Sequence, residues 1–274
     1  MTHSTQQIRP AAVAGMFYPG SPSALARDLQ QMLSHPPPAP GIRPKAIIAP
    51  HAGYVYSGPI AASIYAPLAN LRERIRRVIL LGPTHRVAVD GLALPSSRAF
   101  ATPLGVVQLD QEAMASIEPL PQVIVSDAAH ALEHSLEVQL PFLQTVLAEF
   151  TLLPLAVGRA SAAAVAEVLE CLWGGDETLI VISSDLSHYL PYALARETDS
   201  NTARHIIALD AHLDHQQACG ATPVNGLLLA ARRHGLQARL IDLRNSGDTA
   251  GDRSRVVGYG AFTFSFSAEP EHAH

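Results

Sequence analysis

The sequence contains only two cysteines, Cys171 and Cys219, which excludes a framework of several disulfide bonds and is typical of a protein from a reducing compartment. It also lacks an excess of basic residues, since 24 Asp and Glu outnumber 19 Lys and Arg and the formal net charge is -5. Nucleic-acid binding needs clustered Lys and Arg to neutralise phosphates. We therefore expect no nucleic-acid partner.

Long apolar runs are absent as well. No stretch reaches the roughly 18 to 20 residues that span a bilayer, and the first twenty residues lack the charged-then-apolar pattern of a signal peptide. We therefore expect a cytoplasmic protein with no membrane contact. Because the 274 residues show no internal repeat and no change of composition, we expect a single domain over 1–274, with flexible ends at about 1–8 and 267–274.

From Lys45 onward, short apolar runs alternate with helical segments, and this pattern predicts a layered α/β domain. Several of the runs are apolar throughout, so helices should cover both faces of the sheet. The expected fold class is α/β, with a mixed, largely buried β-sheet flanked by helices. The predicted strands are 46–49, 78–81, 106–109, 123–125, 152–157, 179–183, 238–243 and 256–264. A first helix should begin at Ser21, a Pro-rich surface linker should cover 36–40, and the other predicted helices are 59–74, 135–149, 162–173, 196–209 and 223–234.

Histidines follow two of the predicted strands. His51 comes after the run that ends at Ala49, and His85 comes after the run 78–81. Ligands of such sheets bind beyond the carboxyl ends of the strands, so we expect the two imidazoles to form a metal site at one edge. A third strand runs into Asp185 and His188, where the carboxylate could orient the imidazole as a general acid or base.

Two further segments carry candidate residues. His134 lies at a predicted helix start with Glu137 one turn later, so the pair could be metal ligands, a hydrogen-bonded pair beside a metal ligand, or only a helix cap. The loop after strand 238–243 carries Asp248 and Asp252, either of which could complete a metal site, although most such loops are surface turns. Cys219 precedes a predicted helix whose amides could lower its pKa, and a buried structural role is the alternative.

Two imidazoles and one carboxylate make up the facial triad of non-haem Fe(II) enzymes, which leaves coordination positions for substrate and dioxygen. The same ligands could instead hold zinc and a bound water in a hydrolytic site. The residue types leave both alternatives open.

Five motifs follow one another along the chain: Pro50-His51-Ala52-Gly53-Tyr54, Gly82-Pro83-Thr84-His85, Glu133-His134-Ser135-Leu136-Glu137, Ser183-Ser184-Asp185-Leu186-Ser187-His188, and Cys219-Gly220 with Pro223. Together they resemble the Memo-like family, named after a mediator of receptor-driven cell motility. Prokaryotic members of this family are called AmmeMemoRadiSam system protein B. The resemblance implies a fold similar to that of class III extradiol dioxygenases, which open catechol rings with non-haem iron.

The resemblance also implies roles for individual residues. His51 and His85 take two metal-ligand positions and Asp248 takes the third, while Asp185 and His188 take the acid and base positions. The human family member has Cys at the third position. Aspartate there favours Fe(II) over copper, because a thiolate prefers softer metals.

The resulting expectation is an Fe(II)-dependent, dioxygenase-like oxidoreductase, with zinc or copper as the alternative metals. His188, Asp185 and His134 should act in catalysis, and Tyr54 and Glu137 should contact an unknown small-molecule substrate. Three other interpretations stay open: a protein that binds phosphorylated peptides in the same pocket, a partner protein in a radical S-adenosylmethionine system, and a zinc-dependent hydrolase.

Overall fold

The computed structural model describes residues 7–34 and 43–267, which form a nine-stranded sheet, a three-stranded sheet and the helices that pack on them. The strands are β1 (Ile8–Arg9), β2 (Ala46–Ala49), β3 (Arg77–Pro83), β4 (Leu92–Leu94), β5 (Ala99–Thr102), β6 (Gly105–Gln108), β7 (Val123–Val125), β8 (Thr151–Val157), β9 (Thr178–Ser183), β10 (His188–Leu190), β11 (Gln237–Asn245) and β12 (Val256–Ser265). The α-helices are α1 (Pro22–Leu33), α2 (Tyr54–Tyr65), α3 (Gln111–Ile117), α4 (Asp127–Ala131), α5 (Leu140–Val146), α6 (Ala162–Cys171), α7 (Tyr192–Ile207) and α8 (Ala221–Arg233), and 3-10 helices cover Ala66–Leu71, Glu137–Gln139 and Ser246–Asp248.

The large sheet is mixed. Its order is β10-β12-β2-β9-β3-β8-β4-β7, and β11 also pairs with β12. The four central strands β2, β9, β3 and β8 are parallel, while β12 and β4 run antiparallel to them. In this register Ala49 lies opposite Ser183, and Leu81 lies opposite Ile182. The carboxyl ends of β2, β9 and β3 therefore meet at one edge of the sheet.

The central strands are covered on both faces, as their apolar sequences predict. Every residue of β2 is buried, and so is every residue of β9. Successive side chains of a strand point to opposite faces, so this burial requires cover on both sides. Helix α2 contacts β2, and α8 contacts β3 and β9. Among the described residues, no helix is both long enough and apolar enough to cross a membrane.

Each predicted strand corresponds to a strand of the structure, and 46–49 and 123–125 match β2 and β7 at both ends. The predicted helix 59–74 is in fact α2, which begins at Tyr54, followed by a 3-10 helix. The prediction missed β1, β4, β5, β10, α3 and α4, because elements of two to seven residues are too short to show a hydrophobic period. The predicted linker 36–40 and most of both predicted flexible ends lie outside the described residues, whereas Ile8 belongs to β1.

Glu137 links the N-terminal segment to the segment before α5. Its carboxylate is fully buried and accepts hydrogen bonds from Arg9 Nη1 (2.7 Å), the Ala12 amide (2.7 Å), the Val13 amide (3.0 Å) and the Tyr18 hydroxyl (2.5 Å). Burial, and then the bond to this carboxylate, raises the pKa of Tyr18. The structure thus commits Glu137, the predicted substrate contact, to hydrogen bonds within the fold.

Replacing Glu137 should destabilise the protein. In Glu137→Gln the buried Arg9 guanidinium loses its charged partner, and we expect the free energy of unfolding to fall by about 3 to 5 kcal/mol. Urea denaturation at neutral pH measures this change. The control is Glu73→Gln, which removes an exposed ion pair to Arg76 and should change stability by less than about 0.5 kcal/mol. Equal stabilities of the two variants would contradict this account of Glu137.

Candidate metal centre and adjoining cavity

Three histidines converge at the edge where the parallel strands end. His51 follows β2, His85 follows β3, and His134 lies between α4 and the 3-10 helix Glu137–Gln139. One nitrogen from each ring lies within 4.8 Å of the other two. The ring centroids of His85 and His134 are 4.6 Å apart, and that of His51 is 5.2 Å and 5.4 Å from them. Within the described parts of the chain, this is the one group of three or more His, Cys, Asp or Glu side chains that could hold a metal ion.

A single buried carboxylate orients two of these imidazoles. Glu133 Oε1 lies 2.9 Å from His85 Nδ1 and 3.2 Å from His134 Nδ1. The same oxygen accepts hydrogen bonds from the amides of His134 and Ser135 at 2.9 Å each, and Oε2 accepts one from the His85 amide at 2.5 Å. Burial alone would raise the pKa of Glu133, but the bonds from His134 and His85 outweigh it and hold the pKa well below its ordinary value.

The charge on Glu133 decides where the imidazole protons sit. An ionised carboxylate only accepts hydrogen bonds, so Nδ1 of His85 and Nδ1 of His134 must each carry a proton. In a neutral imidazole the other nitrogen, Nε2, then keeps its lone pair. The contacts therefore leave Nε2 of each ring as the nitrogen that can face a metal ion, with a carboxylate behind the ring.

His51 is the buried member of the group. Its Nδ1 lies 2.9 Å from Ser183 Oγ, and its Nε2 lies 3.2 Å from Cys219 Sγ and 4.0 Å from Asp185 Oδ2. Burial, and next the neighbouring His85 and His134, hold the pKa of His51 well below 6.5. His51 is thus neutral at physiological pH, as a metal ligand must be.

Asp185 and His188 lie beside this group, but they do not form the hydrogen-bonded pair that the sequence suggested. The buried Asp185 carboxylate accepts a hydrogen bond from the His51 amide at 2.7 Å, and His188 Nδ1 donates to the Leu186 carbonyl at 2.8 Å. Burial raises the pKa of Asp185, although the bond from the His51 amide opposes this effect. The backbone at Leu186, not Asp185, therefore orients the His188 ring.

A cavity of about 670 Å³ opens next to the histidines. His85, His188 and Cys219 contribute to its lining the side chains that could bind a metal ion or transfer a proton. One part of the wall, from β10 and α7, is largely apolar, and another is polar. The remaining lining residues are Tyr189, Leu190, Leu194 and Thr198 on the first part and Asp214, His215, Gln216 and Gln217 on the second.

Neither predicted carboxylate ligand joins the histidines. Asp248 accepts hydrogen bonds from the Tyr192 hydroxyl at 2.6 Å and from the Asn245 amide at 3.0 Å, which completes a capping box on the 3-10 helix Ser246–Asp248. Asp252 is exposed and accepts a hydrogen bond from the Ser254 amide at 2.7 Å. The structure brings His51 and His85 together and adds His134, whereas local capping holds Asp248 elsewhere.

Tyr54, predicted to contact the substrate, is not among the residues lining this cavity. Its hydroxyl donates to the Val138 carbonyl at 2.7 Å, and its ring lines a separate cavity of about 610 Å³ together with Met16, Phe17 and Met32. Glu137 is likewise occupied by Arg9 and its neighbours.

Glu133, Ser183 and Cys219 contact the histidines, and the sequence had suggested no role for the first two. Glu133 directly precedes His134, so its carboxylate was a visible candidate to orient a ligand. For Cys219 the structure favours the second of the two alternatives, a buried structural role: burial, reinforced by Asp185, raises the pKa of its thiol to about 12. The loss of hydration outweighs any help from the amides of α8.

Comparison with known proteins agrees with these motifs. The family model for Memo-like protein matches residues 9–263. A MEMO1 family protein from Aquifex aeolicus is 38% identical over 92% of this chain and 97% of its own length, and one from Ignicoccus hospitalis is 35% identical over 94% and 98%. An uncharacterized protein of Escherichia coli K12, 14% identical, has a similar fold with a TM-score of 0.51, covering 78% of this chain and 98% of that one. The chain described here belongs to the Memo-like protein family.

Proposed function

We propose that this protein is a metalloenzyme that binds one divalent metal ion through Nε2 of His51, His85 and His134 and acts on a small molecule in the adjoining cavity. The observation that carries the proposal is the convergence of three imidazoles within 4.8 Å, two of which are oriented by one buried carboxylate. Buried carboxylates behind ligating histidines are a regular feature of metal sites. Three imidazole ligands fit a divalent first-row metal.

A metal held by three protein nitrogens keeps open coordination positions, and it would supply Lewis acidity toward oxygen atoms of a substrate or a water molecule. The protein would supply the proton transfer. Because His188 Nδ1 donates to the Leu186 carbonyl, His188 Nε2 holds the lone pair of a neutral ring and can accept a proton from a molecule in the cavity. Asp185 fixes the loop that carries His51 through the His51 amide.

The first candidate reaction is a dioxygenase-like oxidation with Fe(II), which rests on the resemblance of the motifs to the extradiol dioxygenases. The second is zinc-dependent hydrolysis, and the donor set favours it: three histidines with an open fourth position are a known catalytic zinc arrangement, whereas the iron triad has a carboxylate. Both reactions use the same ligands and the same base, so the metal and the substrate distinguish them.

The ligand assignment makes a direct prediction. Protein loaded anaerobically with Fe(II), and separately with Zn(II), should bind about one ion per chain, and His51→Ala, His85→Ala and His134→Ala should each lose most of it. Metal content after gel filtration is the measurement. Asp248→Ala is the matched control and should bind like the wild type, because its carboxylate caps a 3-10 helix. Loss of metal in Asp248→Ala together with retention in His134→Ala would reverse the assignment.

The reaction class is tested with the two loaded forms. If the Fe(II) form consumes oxygen with catechols, the protein is an oxidoreductase, and if the Zn(II) form hydrolyses esters or amides, it is a hydrolase. In the active form His188→Gln should lower kcat by about 100-fold or more while metal content stays unchanged, because it removes the base without touching a ligand. Inactivity of both forms across broad substrate panels, with saturable binding of phosphotyrosine peptides, would overturn the enzyme proposal in favour of a binding protein.

Glu133→Gln tests the carboxylate behind the ligands. An amide cannot accept hydrogen bonds at both of its terminal atoms, so metal affinity should fall about 10- to 100-fold. Isothermal titration with Zn(II) measures it, and Glu73→Gln, an exposed change remote from the histidines, is the control. An unchanged affinity for Zn(II) would show that Glu133 does not orient the metal ligands.

The same variant has a pH signature. The folded-state pKa of Glu133 lies well below its ordinary value of 4.5, so its stabilising contribution is fully present above about pH 4.5 and is lost as the pH falls toward the folded pKa. In metal-free protein, the free energy of unfolding should therefore decrease less steeply below pH 4.5 in Glu133→Gln than in the wild type. Parallel pH profiles from urea denaturation would contradict this assignment.

A further inference from the structure

The hydroxyl of Ser183, at the end of β9, is fully buried and makes three hydrogen bonds. Its Oγ lies 2.6 Å from the Ser135 carbonyl oxygen, 2.8 Å from Gln139 Nε2 and 2.9 Å from His51 Nδ1. A serine hydroxyl has one proton to donate and can accept two hydrogen bonds. All three bonds can therefore form, but only in one arrangement of protons.

The first two partners fix that arrangement. The Ser135 carbonyl only accepts, so the Ser183 proton is committed to it. Gln139 must donate, because the same NH₂ group lies 2.9 Å from the Pro50 carbonyl oxygen, which also only accepts. On the other side of the amide, Gln139 Oε1 accepts a hydrogen bond from the Tyr65 hydroxyl at 2.9 Å. Ser183 Oγ thus has only a lone pair left for His51, and His51 Nδ1 must carry the proton.

We propose that Ser183 is a positioning residue that fixes His51 as the Nδ1–H tautomer, with the lone pair on Nε2 directed at the metal site. The purpose of this arrangement rests on the proposed function, whereas the tautomer itself needs no metal. Two groups near His51 Nε2 act in opposite directions. The protonated thiol of Cys219, 3.2 Å away, can donate to that nitrogen and so supports the same tautomer. Asp185 Oδ2 lies 4.0 Å from His51 Nε2, and a carboxylate there favours a proton on Nε2, the nitrogen that must be free to bind a metal.

The tautomer is measurable in metal-free protein. Two-bond ¹H–¹⁵N correlation spectra of histidine-labelled protein at neutral pH distinguish Nδ1–H from Nε2–H rings, and His51→Gln identifies the His51 signals. We expect the Nδ1–H pattern in the wild type and a shift of His51 toward Nε2–H in Ser183→Ala. Ser97→Ala is the matched control, since Ser97 is buried and its hydroxyl has no hydrogen-bond partner within the described residues. Its spectrum should show the wild-type tautomer.

Zinc affinity gives a second readout. Ser183→Ala should bind Zn(II) about 10- to 100-fold more weakly than Ser97→Ala, as expected for loss of a residue that orients a ligand. If Ser183→Ala does not fold, Ser183→Cys replaces it, because a thiol is a poor acceptor of similar size and should shift the same equilibrium. The Nε2–H pattern in the wild type, or the Nδ1–H pattern retained in the Ser183 variant, would overturn the inference. If His51 changes from Nδ1–H in the wild type to Nε2–H in the Ser183 variant, but the wild type binds no metal, the inference stands and only the proposed function is refuted.

Discussion

The candidate site depends on one interaction: the buried, ionised carboxylate of Glu133 accepts hydrogen bonds from His85 and His134 at once. Removing a carboxylate from water is costly, and here five donors from two facing segments compensate for it, namely the Nδ1 atoms and amides of the two histidines and the amide of Ser135. Because every donor is directed at the same group, the two rings are held at fixed positions before any ligand arrives. The same carboxylate therefore fixes both the backbone around His85 and His134 and the orientation of their imidazole rings.

Three polar groups that would be unfavourable alone are thus buried side by side at the sheet edge. Glu133, His51 and Asp185 are each nearly inaccessible, and each has its hydrogen bonds satisfied by a neighbour from another strand or loop. This network of hydrogen bonds is sensitive to mutation, since removing one of its members leaves the others buried without partners. The arrangement costs folding free energy that the apolar strands β2, β3, β8 and β9 must supply, and their residues are almost wholly buried.

The sequence predicted the central strands and the positions of His51 and His85 well, because an apolar run followed by polar residues is a local signal. It singled out His134 as one possible ligand among several, but it placed Asp248, not His134, in the third position of the group. Asp248 also follows a strand, but its carboxylate is captured by the Asn245 amide within its own turn. His134 follows no strand, and the contact that joins its segment to His85, between Glu133 and His85, spans 48 positions and is encoded by no local pattern. The ion pair of Glu137 is hidden from local patterns in the same way, since its partner Arg9 lies 128 positions away.

The distance along the chain between His51 and Ser183, 132 positions, means that this part of the site cannot exist before the sheet has formed. A ligand that binds here meets its coordinating atoms only in the native protein, so its binding free energy adds to the stability of the fold. At a free concentration one hundred times its Kd, an ion would contribute about 2.7 kcal/mol, which is a large share of the stability of an ordinary domain. The register of two neighbouring strands, Ala49 beside Ser183, would thereby couple the free concentration of such an ion to the stability of the whole fold.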